Sequence, residues 1–318
     1  MDFDLLSFPP EILAKIFSNI PWDQLINVKL TARKFNYVTE KYQKDMQKPK
    51  LYEIIFEDNY SRDGIDWIKI NYDIFKTDGN GDITDVKELI FPLSELDELH
   101  RFLQKVDLTS LNNVDCAFCN YTGILGVFGD YFHNINVIES MDIFARGSES
   151  DIGDALAFLR KIRNVKDLQI SFHFPNENVP SDFIIPVRNS LEVLEIKESK
   201  GTTLINPTMI KYIVKNNPNL KTYILHFEDF QTYKMVIGTV VKEELSRRSN
   251  GCSHRGITFY VDTSIFEEIP ELMNYFYSDE LPYNDADTIP DYYLLYLNVL
   301  DCLLCGGFDS IKIFEDEY

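Results

Sequence analysis

Between residues 86 and 225 one short pattern returns six times: an apolar residue, two others, a second apolar residue, one other, and a third apolar residue. The copies are Val86-Leu89-Phe91, Leu111-Val114-Cys116, Ile138-Met141-Ile143, Val165-Leu168-Ile170, Leu191-Leu194-Ile196 and Leu220-Tyr223-Leu225. Their starts are 25, 27, 27, 26 and 29 residues apart, and a weaker copy, Gly256-Phe259-Val261, follows after 36. Side chains two apart share one face of a strand, so each copy specifies a short strand with one buried side. Near-equal spacing implies units that stack, each shielding its neighbour's core. Between copies the apolar spacing turns helical. Residues 94–106 place Leu96, Leu99, Phe102, Leu103 and Val106 on one side, and residues 151–162 repeat the pattern. Asn206-Pro207 opens a third helix that ends near Asn217-Pro218, and a longer helix at 233–247 accounts for the stretched last spacing. Residues 175–190, rich in Pro and Asn, hold only a turn of helix. Strands alternating with helices predict an α/β fold.

The frame and period resemble leucine-rich repeats, whose pattern is L-x-x-L-x-L-x-x-N/C-x-L, and the resemblance implies an α/β solenoid over residues 49–261. Position nine, usually Asn or Cys, is Cys119 in one copy but Ser94, Arg146, His173, Ser199 and Glu228 in the others. The expected form is therefore a degenerate, leucine-rich-repeat-like solenoid without a full asparagine ladder. Residues 51–85 start it, with strand-like Leu51-Tyr52-Glu53-Ile54-Ile55-Phe56 and Trp67-Ile68-Lys69-Ile70, and with Asp78-Gly79-Asn80-Gly81 as a loop tip or hairpin turn. Residues 262–318, an acidic segment, close it with helices at 265–277 and 291–304 and a last strand at 310–314.

Ahead of the repeats, Phe8, Ile12, Leu13, Ile16, Phe17 and Ile20 fall three and four apart, which is helical spacing. Ser7 can cap this helix, Pro9 and Pro10 suit its first turn, and Pro21 breaks it. Leu25, Val28, Leu30 and Phe35 make at least one more amphipathic helix. About 40 residues cannot bury a full core of their own, so the apolar surface must meet the rest of the chain or a partner.

This stretch resembles an F-box, whose pattern is roughly L-P-x-E-I-L-x-x-I-F-x-x-L, a short loop, an L-x-x-V pair and a basic–aromatic end. The matching residues are Phe8-Pro9-Pro10-Glu11-Ile12-Leu13, Ile16-Phe17, Ile20-Pro21, Leu25-Ile26-Asn27-Val28 and Arg33-Lys34-Phe35. Phe8 stands for the usual Leu, Trp22 enters the loop before Asp23, and Thr31-Ala32 replaces the common Val-Cys. The resemblance implies that residues 1–48 dock on a Skp-family adaptor, and through it a cullin–RING ubiquitin ligase, by way of Phe8, Pro9, Ile12, Leu13, Ile16, Phe17, Leu25 and Val28.

Charge narrows the partners. The net charge is −20. Residues 1–50 carry 8 basic and 6 acidic side chains, a net +2; residues 51–261 carry 22 and 31, a net −9; residues 262–318 carry 1 and 14, a net −13. Nucleic acid and anionic membrane both need a cationic face, so neither is expected, whereas a basic protein partner is compatible. In each frame the residue between the two inward positions points the other way. Those residues are Ile90, Asp115, Asp142, Gln169, Glu195, Ile224 and Tyr260, flanked by Asp167, Lys197, Thr222 and His226. This row, acidic with an apolar end, is the predicted substrate face, with loops at either edge and the acidic end as competitors.

Little else suggests chemistry. Cys116-Ala-Phe-Cys119 and Cys302-Leu-Leu-Cys305 have metal-ligand spacing. The first pair, however, fills frame positions, and the second lies in an apolar run where cysteine behaves as a small hydrophobe. Cys252-Ser253-His254 reads as part of a polar linker, Gly79-Asn80-Gly81 lacks the rest of a phosphate loop, and the five histidines are scattered. No catalytic residue, metal or cofactor is expected. Five cysteines, an odd number, point to reduced thiols in the cytosol or nucleus. Asp2 and Asp4 stand where a secretory signal needs basic residues, and the apolar run at 292–308 is short and holds Asn298 and Asp301. The expected protein is a non-catalytic substrate-recognition subunit of an SCF-type ubiquitin ligase. The alternative is a leucine-rich-repeat-like scaffold whose N-terminal helices only cap the repeats. A metal-dependent or thiol enzyme is a third, weaker reading.

Overall fold

A computed structural model describes residues 4–62, 64–75, 83–119, 123–133, 135–146, 152–174, 179–199, 201–248, 254–262, 269–276, 284–285, 294–302 and 305–316. Its centre is one twelve-stranded mixed sheet. Strands β1 (Leu51–Arg62), β2 (Ile65–Phe75) and β3 (Ile83–Pro92) form an antiparallel meander at one end. Next to β1, and parallel to it, lies β4 (Asn113–Phe118). Then come β5 (Ile138–Arg146), β6 (Val165–His173), β7 (Val193–Glu198), β8 (Thr222–Phe227) and β9 (Gly256–Asp262), all parallel and each beside the one before it in the chain. Beyond β9 the order is β12 (Phe308–Asp316), β11 (Leu294–Asp301) and the short β10 (Asn284–Asp285); β12 is parallel to β9, and the last two pairings are antiparallel.

The recurring frame sets the register of the parallel run. Its second positions pair across the sheet as Val114, Met141, Leu168, Leu194, Tyr223 and Phe259, and its third positions as Cys116, Ile143, Ile170, Ile196, Leu225 and Val261. All twelve are buried. Helices between the strands cover this face and share its core: α4 (Leu96–Lys105), α5 (Gly123–Tyr131), α6 (Ile152–Leu159), α7 (Pro207–Asn216) and α8 (Phe230–Arg248). The α7 start is as predicted, with Asn206 Oδ1 accepting from the Met209 N–H at 2.9 Å and Pro207 in the first turn. Helix α5 was hidden by Gly123, Gly126 and Gly129, poor helix formers. A Cβ on Gly126 would stand 3.0 Å from an Asp154 carboxylate oxygen, so the glycine lets α5 lie close to α6.

The α/β class holds, but the expected leucine-rich-repeat-like solenoid is not what forms: the sheet is mixed, with antiparallel strands at both ends. The Val86-Leu89-Phe91 copy lies in β3, at the edge of the meander and antiparallel to β2. Its expected place is taken by Leu51-Ile54-Phe56 in β1, where Ile54 faces Val114 and Phe56 faces Cys116. Three apolar residues suffice for any half-buried strand, so the frame alone does not give a strand's direction. The helix expected at 291–304 is also corrected, because residues 294–301 are strand β11. A short apolar run does not separate a buried strand from a helix. At 265–277 the described helix is α9 (Ile269–Phe276). Residues 179–199 contain β7 and no helix. The predicted turn at 78–81 lies outside the described residues.

Candidate interaction surfaces

The N-terminal residues fold into three short helices, α1 (Pro10–Phe17), α2 (Trp22–Thr31) and α3 (Arg33–Lys41). They close on a core separate from that of the sheet, made of Leu13, Ala14, Phe17, Leu25, Phe35, Val38 and Met46. The Phe17 and Phe35 rings meet edge to face at 5.1 Å. Lys34 Nζ donates to the carbonyls of Leu6 (2.7 Å) and Phe8 (2.8 Å), which ties the segment ahead of α1 to α3. Trp22 packs against the core of the α/β body.

This core splits the eight predicted docking residues. Leu13 (0% exposed), Phe17 (2%) and Leu25 (6%) are interior, so the expectation that they dock is corrected. Phe8 and Val28 are half-buried against the same core. Pro9, Ile12 (42%) and Ile16 (38%) face solvent. Helix α1 is apolar on two sides, one turned inward at Leu13 and Phe17, the other outward at Ile12 and Ile16. Leu5 and Leu6, which the sequence reading did not single out, and Ile26 and Leu30, which it did not count among the docking residues, add exposed apolar surface. The i, i+4 spacing of Ile12 with Ile16, and of Ile26 with Leu30, was the available signal.

On the sheet, the side facing away from the helices carries the predicted row, and the register aligns it. Asp115, Asp142, Gln169, Glu195, Ile224 and Tyr260 are successive partners on β4 to β9. Ile55 on β1 and Phe314 on β12 extend the row, and the Tyr260 and Phe314 rings stack at 5.4 Å. Ile90 does not belong to it. It pairs with Lys69, which pairs with Glu57, two residues beyond Ile55 on β1. Asp115 is exposed, and Asp142, Gln169, Ile224 and Tyr260 are half-buried. Glu195 is buried, with Oε1 3.6 Å from His226 Nε2, while His226 Nδ1 lies 3.7 Å from Asp262 Oδ2. Glu195 therefore faces a neighbour within the protein, and Asp115 and Asp142 are the more accessible acids.

The acidic row repels itself. Partial burial, then the charges of Asp115, Glu195 and Asp167, push the Asp142 carboxyl up to about 6. Burial followed by Glu57 and Glu53 raises Asp115, and burial followed by Glu195 raises Asp167. A cation approaching this row relieves both the repulsion and the lost solvation. Lys69, 3.8 Å from Glu57 and 3.4 Å from Glu88, meets only its edge.

The two cysteine pairs fare differently. Cys116 is buried in the sheet, and burial, followed by the charges of Asp115 and Asp142, pushes its thiol well up. Cys302 and Cys305 are brought to His254, a residue of a polar linker by its sequence; His254 Nε2 is 3.0 Å from Cys305 Sγ. Among the described residues no helix is long and apolar enough to cross a membrane. No family model matches this chain, and no curated protein matches it significantly.

Proposed function

We propose that this chain is the substrate-recognition subunit of an SCF-type ubiquitin ligase, with residues 1–48 as an F-box on a Skp-family adaptor and the α/β body holding a target protein. The observation that carries the reading is the outward apolar side of α1: Ile12 and Ile16 stay in water although Leu13 and Phe17 already close the helices' own core. An exposed apolar helix face backed by a finished core has the form of a docking surface. The body needs no true leucine-rich repeat for its part. Its outward row offers Asp115 and Asp142 to a basic segment, and Ile224, Tyr260 and Phe314 to an apolar one. The mechanism is proximity: the subunit raises the effective concentration of target lysines near the conjugating enzyme and does no covalent chemistry itself.

The scaffold alternative also has an observation behind it, since Trp22 joins the helices to the body. Co-purification with a Skp-family adaptor separates the two. The wild type should form a stoichiometric complex, and the Ile12→Asp, Ile16→Asp double variant should stay folded and unbound, because both positions are exposed and charge there opposes docking. A wild type that fails to bind rejects the F-box reading and leaves the scaffold.

A further inference from the structure

Outside both surfaces, one cluster has the makings of a metal site. Cys302 follows β11, Cys305 lies in the turn before β12, and His254 lies two residues before β9, 48 residues earlier than Cys302 in the chain. The turn is closed by its own backbone: the Cys302 N–H donates to the Gly307 carbonyl at 2.7 Å, and the Gly306 N–H to the Cys302 carbonyl at 3.0 Å. The imidazole is placed from several sides. Its Nδ1 lies 3.5 Å from Asp309 Oδ1, and that oxygen also accepts from the Arg255 N–H at 2.8 Å. The Arg255 guanidinium donates to the carbonyls of Pro218 and Leu220 and lies 3.4 Å from Glu244 Oε2. Gly307 leaves room for the ring, because a Cβ there would stand 2.7 Å from His254 Cδ2.

We propose that His254 Nε2, Cys302 Sγ and Cys305 Sγ bind a zinc ion, joining the start of β9 to the β11–β12 turn. The three donor atoms already lie within 4.8 Å of one another. Tetrahedral zinc, with Zn–S of about 2.3 Å and Zn–N of about 2.0–2.1 Å, sets such donors about 3.5–3.8 Å apart. Shifts of about an ångström or less therefore bring them into place, with the ring moving out from its 3.0 Å contact with Cys305. Two thiolates and an imidazole are a soft set that suits zinc and disfavours magnesium or calcium. Asp309 is the partner that a ligating histidine commonly has on its second nitrogen, fixing the tautomer so that Nε2 faces the metal. Cys305 is exposed, so a fourth ligand can be water or a further protein group. Cys252, two residues before His254 in the sequence, lies outside the described residues and is not counted in the site. By joining the start of β9 to the β11–β12 turn, the ion acts as a clasp on the acidic end of the sheet.

The test uses the full chain, stripped with chelator and reduced, with both thiols verified by reaction with a thiol reagent. Cobalt(II) titration should give an intense thiolate-to-cobalt band that saturates at one equivalent and is displaced by zinc. His254→Ala should weaken binding at least tenfold. Cys305→Ser, an exposed change that leaves the fold intact by circular dichroism, should remove most of the band. Cys119→Ser should leave it unchanged. Absence of the band in reduced wild type overturns the proposal, and so does a band undiminished in Cys305→Ser or a cobalt affinity unchanged in His254→Ala.

Discussion

Replacing Asp142 by Asn should make this protein more stable at neutral pH. The side chain sits on β5 between Asp115 and Gln169, and partial burial, followed by the charges of Asp115, Glu195 and Asp167, raises its carboxyl from an ordinary 3.8 to about 6. Taken whole, a rise of that size corresponds to about 3 kcal/mol. The group is only partly removed from water, so screening reduces the figure to about 1 kcal/mol. The pH dependence has a definite sign. The folded protein holds this proton to higher pH than the unfolded chain does, so it binds more protons between 3.8 and about 6. Stability therefore falls as pH rises through that window, and the penalty is fully present above it. The neutral amide lacks the penalty at every pH. Urea unfolding of the two proteins side by side should show the variant ahead by about 1 kcal/mol near pH 7, and the gap should close as the pH falls to about 4. Comparing the two proteins cancels other raised carboxyls, such as Glu198, which burial pushes to about 7. The same variant should capture a basic partner less well. No gap at neutral pH, or one that widens on acidification, refutes the view of the row as electrostatically strained.

Other substitutions separate core from surface. Phe17→Ala should unfold the N-terminal helices, costing about 3–5 kcal/mol, while Ile16→Ala should change stability by no more than about 0.5 kcal/mol; circular dichroism and limited proteolysis tell them apart. Asn217 is fully buried, donates to the carbonyls of Val187 (3.0 Å) and Ile213 (2.8 Å) and accepts from the Leu191 N–H (3.3 Å). Asn217→Ala leaves those groups unpaired and should cost about 2–3 kcal/mol in urea unfolding. Trp22→Ala should loosen the helices from the body without unfolding either, seen as faster amide exchange confined to α2 and the body surface it meets.

The parallel strands were legible because burial enforces a period of two, and the four spacings near 27 residues from Leu111 to Leu220 left little freedom in how they stack. Their ends were not. Leu51-Ile54-Phe56 and Val86-Leu89-Phe91 carry the same frame, yet only the first joins the parallel run, since pairing direction depends on how the β1–β2–β3 meander turns back. The acidic row could be placed from alternation alone, but the burial of Glu195 against His226 could not, because His226 belongs to the next strand and to a different position in the frame. On α1 the apolar positions were read correctly as apolar and wrongly as one face. Ile12 and Leu13 are adjacent and so point about 100° apart, and only the packing of α3 decides which of them is covered.

Both candidate surfaces lie where the chain gives up stability. Ile12, Ile16 and Leu30 leave apolar area in water, and Asp115, Asp142 and Asp167 hold carboxyls raised above their ordinary range. Neither is a flaw of an unfinished fold, because each is backed by a closed core: Leu13, Phe17 and Phe35 beneath the helices, and Met141, Leu168 and Leu194 beneath the row. Local disfavour resting on sound packing is the pattern expected where a surface is shaped for contact. The two surfaces also differ in kind, one apolar and helical, the other acidic and built on strands, so they suit two different partners. The proposed receptor, which would join an adaptor to a target, calls for such a pairing, and the exposed Ile12 and Ile16 are what set it against a scaffold capped by its own N-terminal helices.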